Sequence, residues 1–185
     1  MLINMDRIQK TRKFAEECLE GIDSAHGLKH AETTANFAKL ISEKENVDME
    51  LCVIAALLHD IGRNKEGKWK QETIEDNHGV DSAKKAKHFL FSLELSDVEI
   101  NEICEAILQH CFPNIQSNQI SKILWDSDKL NMFSKEMKSE YIKCWKDKGW
   151  SEEKIAEQIK KEREFYLQTF YTEIARKTAK DNLHI

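Results

Sequence analysis

The chain has 185 residues, of which 33% are charged and 41% hydrophobic, and its formal net charge is −5. This length suits one domain with a substantial core, and the composition is that of a globular protein rather than a disordered one. The acidic balance argues against a dedicated nucleic-acid binder, which normally presents a basic face.

The five cysteines are scattered and form no C-x-x-C pair. This pattern is typical of reduced, mostly buried thiols, so we expect a cytoplasmic protein. No apolar stretch approaches the roughly 20 residues that a membrane-spanning helix needs. The N-terminal residues also lack the basic and then apolar pattern of a signal peptide, so no membrane association is expected.

Only six glycines and one proline are available for turns, and the apolar residues recur at helical spacing, so we predict an all-α protein. In chain order, helices are predicted over residues 5–20, from a cap at Asp23 or Ser24 through Ile41, over 49–61, over 78–93, from Ser96 through His110, over 120–133, and from Ser151 through Ile174 as one long amphipathic helix. Asp48 is predicted to cap the third helix, and Gly62 to end it in the left-handed conformation. The sequence Ser96-Asp-Val-Glu99 has the spacing of a capping box.

We expect these helices to form a single domain over residues 1–185, with a motif-bearing core at about 20–135 and a helical extension at about 136–185. The C-terminal helix could close this domain or pack against a second copy of the chain, so a homodimer is possible.

The most informative feature is the pair His59-Asp60, which follows the uninterrupted apolar run 51–58. Such a run predicts burial, and a buried carboxylate costs several kcal/mol unless it is paired or bound to a metal. The adjacent imidazole offers a second ligand from the same turn. The pair therefore predicts a cation site.

Other predicted helices carry residues that could complete this site. Histidine nitrogens and carboxylate oxygens are the usual ligands of Mn, Fe, Co, Ni and Zn, and helical proteins often draw one ligand from each of several helices. The candidates are His26 and His30 on the second helix, His78 at the start of the fourth, His110 at the end of the fifth, and Asp126 and Asp128 on the sixth.

The order of these residues resembles the HD superfamily of metal-dependent phosphohydrolases. The matching segments are His26-Gly-Leu-Lys-His30, Ala55-Ala-Leu-Leu-His-Asp-Ile-Gly62 and Asp126-Ser-Asp-Lys-Leu130, within residues 20–135. The resemblance implies a helical bundle with a metal site in its core. It also implies the ligands His30, His59, Asp60 and Asp128, while Asp126 could be an ordinary exposed carboxylate.

Two further segments resemble those of HD proteins with additional histidines: His78-Gly-Val-Asp-Ser-Ala83, in which Ser82 replaces the usual glycine, and Ala106-Ile-Leu-Gln-His110. In some members these histidines complete a second metal site, and in others they contact substrate phosphate. Both alternatives, and a structural role, remain open here, so the resemblance implies one or two divalent transition-metal ions.

The resemblance implies hydrolysis of a small phosphorylated metabolite, with a nucleotide as the leading candidate and the cleaved bond (phosphomonoester, phosphodiester or pyrophosphate) undecided. Asp60, His26 as a general acid, and Arg63 as a phosphate contact are the candidate catalytic residues. Weaker candidates for phosphate contact are Lys29, Lys65 and Lys129, and Trp69 is a candidate for stacking on a base.

Two alternatives from other classes remain. A di-iron oxygenase of the HD type uses the same order of ligands and would consume O2. A metal-holding or nucleotide-binding regulatory domain would bind its ligand without turnover.

Overall fold

The structure is a computed structural model that describes residues 5–63 and 77–182. Within these ranges it is built of α-helices and contains no β-strand, which confirms the all-α prediction. The helices are α1 (Met5–Leu19), α2 (Leu28–Glu45), α3 (Met49–Leu58), α4 (His78–Leu90), α5 (Asp97–Gln109), α6 (Gln119–Leu130), α7 (Lys135–Asp147), α8 (Glu152–Thr169) and α9 (Glu173–Asp181). Short 3-10 turns, Phe91–Leu93 and Asn131–Phe133, follow α4 and α6. Lys65 and Trp69 lie outside the described residues.

Local capping signals account for several helix starts. The Asp48 side chain accepts a hydrogen bond from the Leu51 N–H, as predicted. Ser96 and Glu99 form both hydrogen bonds of the predicted capping box. The cap predicted for α2 was wrong, because α2 begins only after Gly27. The Asp23 carboxylate instead accepts from the Ala25 N–H and binds His26 Nδ1, which forms a separate turn before the helix.

The prediction for Gly62 was also wrong. Among the described glycines only Gly21 and Gly149 have a positive φ, so Gly62 does not end α3 in the left-handed conformation. What requires a glycine here is close approach. A Cβ on Gly62 would lie 2.3 Å from the backbone nitrogen of Ser82 and 2.6 Å from the carbonyl oxygen of His78.

Helix α3 is the centre of the bundle, with α1, α2, α5 and α6 packed around it. Every residue from 50 to 58 is buried. Each buried Leu or Ile side chain contributes about 1.5–3 kcal/mol to stability by leaving water. The polar exception, Glu50, receives a hydrogen bond from Arg7 at 3.2 Å. No helix in the described ranges has the length and apolar character to cross a bilayer.

The single long C-terminal helix predicted from the sequence is two helices, α8 and α9, separated by a corner at residues 170–172. Asp126 on α6 holds this corner, accepting hydrogen bonds from the Tyr171 N–H at 2.8 Å, the Thr172 N–H at 2.8 Å and the Thr172 hydroxyl at 2.7 Å. Burial raises the pKa of Asp126 to about 6, although these hydrogen bonds favour its charged form. Asp126 is therefore buried, and the alternative of an exposed carboxylate was wrong.

Candidate metal centre

His59 and Asp60 occupy the turn that directly follows α3, and both are buried. They are buried because α3 packs in the middle of the bundle. The Nδ1 of His59 donates to the carbonyl oxygen of Ala56 at 2.7 Å. In neutral His59 the proton is therefore on Nδ1, and Nε2 keeps a free lone pair, which is how metal-binding histidines are commonly oriented. Burial lowers the pKa of His59 to about 3, which keeps the ring neutral near pH 7.

The other predicted ligands of this site come from α2 and α6. His30 Nε2 lies 3.0 Å from His59 Nε2 and 3.1 Å from Asp128 Oδ1. Asp60 Oδ2 lies 3.8 Å from His30 Nε2 and 3.7 Å from His59 Nε2. The structure thus brings together all four side chains that the resemblance implied, and we call them the first cluster.

The two additional histidines meet the same aspartate from its other oxygen. Asp60 Oδ1 lies 3.1 Å from His78 Nε2 and 3.4 Å from His110 Nε2. The two imidazole nitrogens are 3.1 Å apart. The Nδ1 of His110 donates to the Ile107 carbonyl at 2.6 Å, which again leaves Nε2 directed inward. Asp60 therefore stands between the first cluster and this second group.

One feature of the structure supports a cation among these donor atoms. Asp60 Oδ1 is buried, and its nearest polar neighbours among the described residues include the Nε2 atoms of His78 at 3.1 Å and His110 at 3.4 Å, which can donate to it only when they carry protons. If both nitrogens present lone pairs instead of protons, they repel the Asp60 oxygen, so the close approach of the three atoms requires a positive charge between them. Burial alone would lower the pKa of His110, but Cys111 and Asp60 raise it to about 9. A proton can supply the charge in the metal-free protein, and a divalent ion would supply it when bound.

Tyr141 on α7 orients the first cluster, with its hydroxyl 3.2 Å from His30 Nδ1. A partner of this kind on the far nitrogen of a ligating histidine fixes the ring and tunes its basicity. Tyr141 was not among the site residues predicted from the sequence. The only local signal was the four-residue spacing of Tyr141 and Trp145, which places two aromatic side chains on one helix face.

Arg63 and Lys129 both reach the carboxylates of the site. Arg63 Nε donates to Asp60 Oδ2 at 2.6 Å, and Lys129 Nζ donates to Asp128 Oδ2 at 2.5 Å. Burial alone would raise the pKa of each carboxyl group. The neighbouring Arg63 and Lys129 charges instead hold the pKa values of Asp60 and Asp128 well below the usual range.

A cavity of about 460 Å³ opens above the first cluster. Its lining includes His30, Asp128, Arg63 and Lys129 on one side. The other side is aromatic and is a feature that the sequence analysis did not identify. The Tyr141 and Trp145 rings lie 6.0 Å apart, and the Trp145 and Trp150 rings are nearly parallel, 5.7 Å apart with an interplanar angle of 9°.

The two remaining predicted site residues, His26 and Lys29, differ in their position relative to the cavity. His26 precedes α2 rather than lying on it, but it still lines the cavity, 6.2 Å from the His30 ring centroid. Lys29 does not line the cavity. Its ammonium group pairs with Glu136 at 3.0 Å and Glu140 at 2.8 Å on α7, so the structure gives it a role in holding α7 against α2.

Comparisons with known proteins agree with this arrangement. The family model described as "HD domain" matches residues 27–181. A Bacillus subtilis (strain 168) protein described as "Putative phosphohydrolase YueE" is 33% identical over 101 residues, which are 52% of this chain and only 57% of that protein. Two similar crystal structures cover 97% of this chain: an HD superfamily hydrolase from an uncultured Thermotogales bacterium (24% identity, TM-score 0.69, 84% of that chain) and Bacillus subtilis YpgQ in complex with ADP (17%, 0.74, 89%).

Proposed function

Since the chain belongs to the HD domain family, we propose that it is a metal-dependent phosphohydrolase that acts on a nucleotide. The observation that carries this proposal is the convergence of His30, His59, Asp60 and Asp128 beside a cavity that also presents two cations, Arg63 and Lys129. A metal-ligand cluster next to fixed positive charge suits a phosphoryl group, whose oxygens are negative. The description of YueE as a phosphohydrolase is consistent with this reaction class.

The aromatic side of the cavity supports a nucleotide over a plain sugar phosphate. Trp145 and Trp150 stack on each other, and the ammonium group of Lys154 lies 3.7 Å from the Trp150 ring centroid. A purine or pyrimidine ring would stack on Trp150 by displacing this side chain. Base stacking on an aromatic side chain contributes about 1–3 kcal/mol. YpgQ, which shares the fold, was crystallised with ADP. The base would then lie against α7 and the phosphates against the first cluster.

The residues would divide the chemistry as follows. A divalent ion bound by the first cluster would lower the pKa of a water and polarise the phosphoryl group. Arg63 and Lys129 would offset the charge of the phosphate oxygens. His26 lines the cavity, and its Nδ1 is hydrogen-bonded to Asp23 at 2.9 Å, which fixes the orientation of the ring. Because burial lowers the pKa of His26, this ring is neutral near pH 7 and is better suited to accept a proton than to act as the general acid expected from the sequence.

The test is a hydrolysis screen of the metal-reconstituted protein with nucleotides, phosphodiesters and sugar phosphates, in which the released phosphate or pyrophosphate is identified. We expect nucleotide turnover, and we expect Asp60→Ala to abolish it. Asp81→Ala is the control, because Asp81 is an exposed carboxylate on α4. Oxygen consumption by an iron-loaded form would instead favour the di-iron oxygenase. Tight nucleotide binding without any product would favour the regulatory domain.

A further inference from the structure

Asn131 directly follows α6, and its buried side-chain amide joins the two helices that carry His30 and Asp128. Its Nδ2 group donates to the hydroxyl of Thr34 on α2 at 2.7 Å and to the carbonyl oxygen of Asp128 on α6 at 3.0 Å. The Thr34 hydroxyl in turn donates to the carbonyl oxygen of His30 at 2.9 Å. These hydrogen bonds connect the backbones of two residues of the first cluster, and we call the pair that makes them the Asn131–Thr34 bridge.

The bridge uses both donors of the asparagine amide. An asparagine side chain has two N–H donors, and here one is directed to each helix. A third contact, to the carbonyl oxygen of Ser127 at 3.5 Å, is longer than an ordinary hydrogen bond. Asn131 and Thr34 are both fully buried, so water does not compete for these bonds. The opposite orientation of the amide would turn its oxygen toward the Asp128 carbonyl oxygen and lose both bonds.

Capping of α6 does not by itself account for this side chain. The backbone N–H of Asn131 already donates to the carbonyl oxygens of Asp128 and Lys129, so the end of α6 has a backbone donor. The Asn131 Oδ1 atom is buried and accepts no hydrogen bond within the described residues. Because a buried acceptor without a partner lowers stability, an asparagine is a costly choice for stability alone. Its two donors are instead suited to hold α2 and α6 at a fixed separation.

The separation of α2 and α6 sets the distance between their metal ligands. His30 Nε2 lies 3.1 Å from Asp128 Oδ1, and a bound ion tolerates errors of about 0.2 Å in its ligand distances. His30 lies four residues before Thr34, and Asp128 lies three residues before Asn131. Each ligand is therefore within about one helical turn of the bridge, and a shift of the bridge moves the ligands apart.

We propose that Asn131 and Thr34 are positioning residues of the metal centre, which hold the helix of His30 against the helix of Asp128 at the separation that one divalent ion requires. Neither side chain supplies a ligand. The inference rests on the metal centre of the proposed function, but not on the substrate or on the bond that is cleaved. Its signature is a loss of metal affinity that does not follow the loss of folding stability.

Two substitutions of Thr34 separate the bridge from the packing of α2. Thr34→Val keeps the size of the side chain and removes the hydroxyl, whereas Thr34→Ser keeps the hydroxyl and removes a buried methyl group. We expect Thr34→Val to weaken metal binding about tenfold, the lower end of the range for partners outside the ligand set, and Thr34→Ser to bind as wild type does. Isothermal titration calorimetry of the metal-free protein with Mn²⁺ and with Zn²⁺ measures the affinity, and urea denaturation measures the stability.

Thr11→Val is the matched control. Thr11 is also fully buried in a helix, and its hydroxyl also donates to the carbonyl oxygen four residues earlier, that of Arg7 at 2.8 Å. Because Thr11 lies on α1, which carries no ligand, we expect Thr11→Val to change the stability and leave the metal affinity unchanged. A second measurement is a double-mutant cycle with Asn131→Ala, in which the two losses of affinity should be less than additive, since both variants break the same bridge.

Wild-type affinity in Thr34→Val, or an equal loss in Thr34→Ser or Thr11→Val, would overturn the proposal. Fully additive losses in the cycle would also contradict it. A wild-type chain that bound neither ion would overturn the proposed function together with this inference, whereas normal binding in every bridge variant would overturn this inference alone.

Discussion

The backbone N–H of Gly62 donates to the hydroxyl of Ser82 at 2.8 Å, which joins the turn after Asp60 to helix α4. The contact is so close that no Cβ fits on Gly62. The Ser82 hydroxyl is the hydrogen-bond partner of the Gly62 amide. This junction sets the distance between Asp60 and His78, which lies at the start of α4.

Gly62→Ala is therefore expected to destabilise the protein and to disturb the metal centre together. The added Cβ would meet backbone atoms of α4 at 2.3 and 2.6 Å, which cannot move aside as a flexible side chain would. We expect a loss of roughly 3 kcal/mol in the free energy of unfolding, measured by urea denaturation. Gly149→Ala is the control, because it meets no atom within 4 Å and carries only the strain of its positive φ, about 1–2 kcal/mol. Equal losses in the two variants would refute the steric argument.

Tyr141→Phe should weaken metal binding at the first cluster without unfolding the protein. The change removes the hydroxyl that lies 3.2 Å from His30 Nδ1, and losing such an orienting partner typically costs about 10–100-fold in metal affinity. Isothermal titration calorimetry with the reconstituting metal measures the effect. In the control Tyr171→Phe, the lost hydroxyl contacts Gln116 instead, so the affinity should not change. An unchanged affinity in Tyr141→Phe would rule out the orienting role.

Asp126 and Asp128 lie two residues apart on α6, yet substitution should affect different properties. Asp126→Asn replaces one acceptor oxygen with an amide that faces the N–H donors of the α8–α9 corner, and each stranded donor costs about 1–3 kcal/mol. We expect lower stability with normal metal content. Asp128→Asn should lose metal instead. Metal analysis and thermal unfolding of both variants check this, and loss of metal in Asp126→Asn alone would reverse the assignment.

Trp150→Ala tests the aromatic side of the cavity. If Trp150 contributes stacking of about 1–3 kcal/mol to base binding, the KM for a nucleotide should rise by roughly 5- to 150-fold. The kcat/KM for a sugar phosphate, which has no base, should stay close to that of wild type. Phe91→Ala is the control, because Phe91 is an exposed aromatic residue that does not line the cavity. Equal effects on both substrates would contradict a base platform.

Much of the fold and site could be predicted because the signals are local. The capping residues Asp48 and Ser96 act within one helical turn, so short segments contain the necessary information. The apolar run before His59 predicted burial of the pair for the same reason, and burial of a carboxylate calls for a cation whatever the surrounding fold.

Other features depend on residues that are distant in sequence. Helix α8 ends at residue 169 because Asp126 binds the backbone of the corner that follows, at Tyr171. Asp126 lies 45 positions before Tyr171, and the sequence of α8 itself gives no signal for the corner. Lys29 was predicted as a candidate phosphate contact, but in the structure its ammonium group pairs with two carboxylates of α7. These contacts exist only after the helices pack.

The sequence by itself therefore determined the helical class, the buried His59-Asp60 pair and the candidate ligands, because hydrophobic periodicity and motif order are properties of the chain. Only the tertiary structure decided that Tyr141 reaches His30 across 111 positions and that His110 meets His78 across 32. The physical reason is that a metal site is a set of distances between atoms, and helix packing sets those distances.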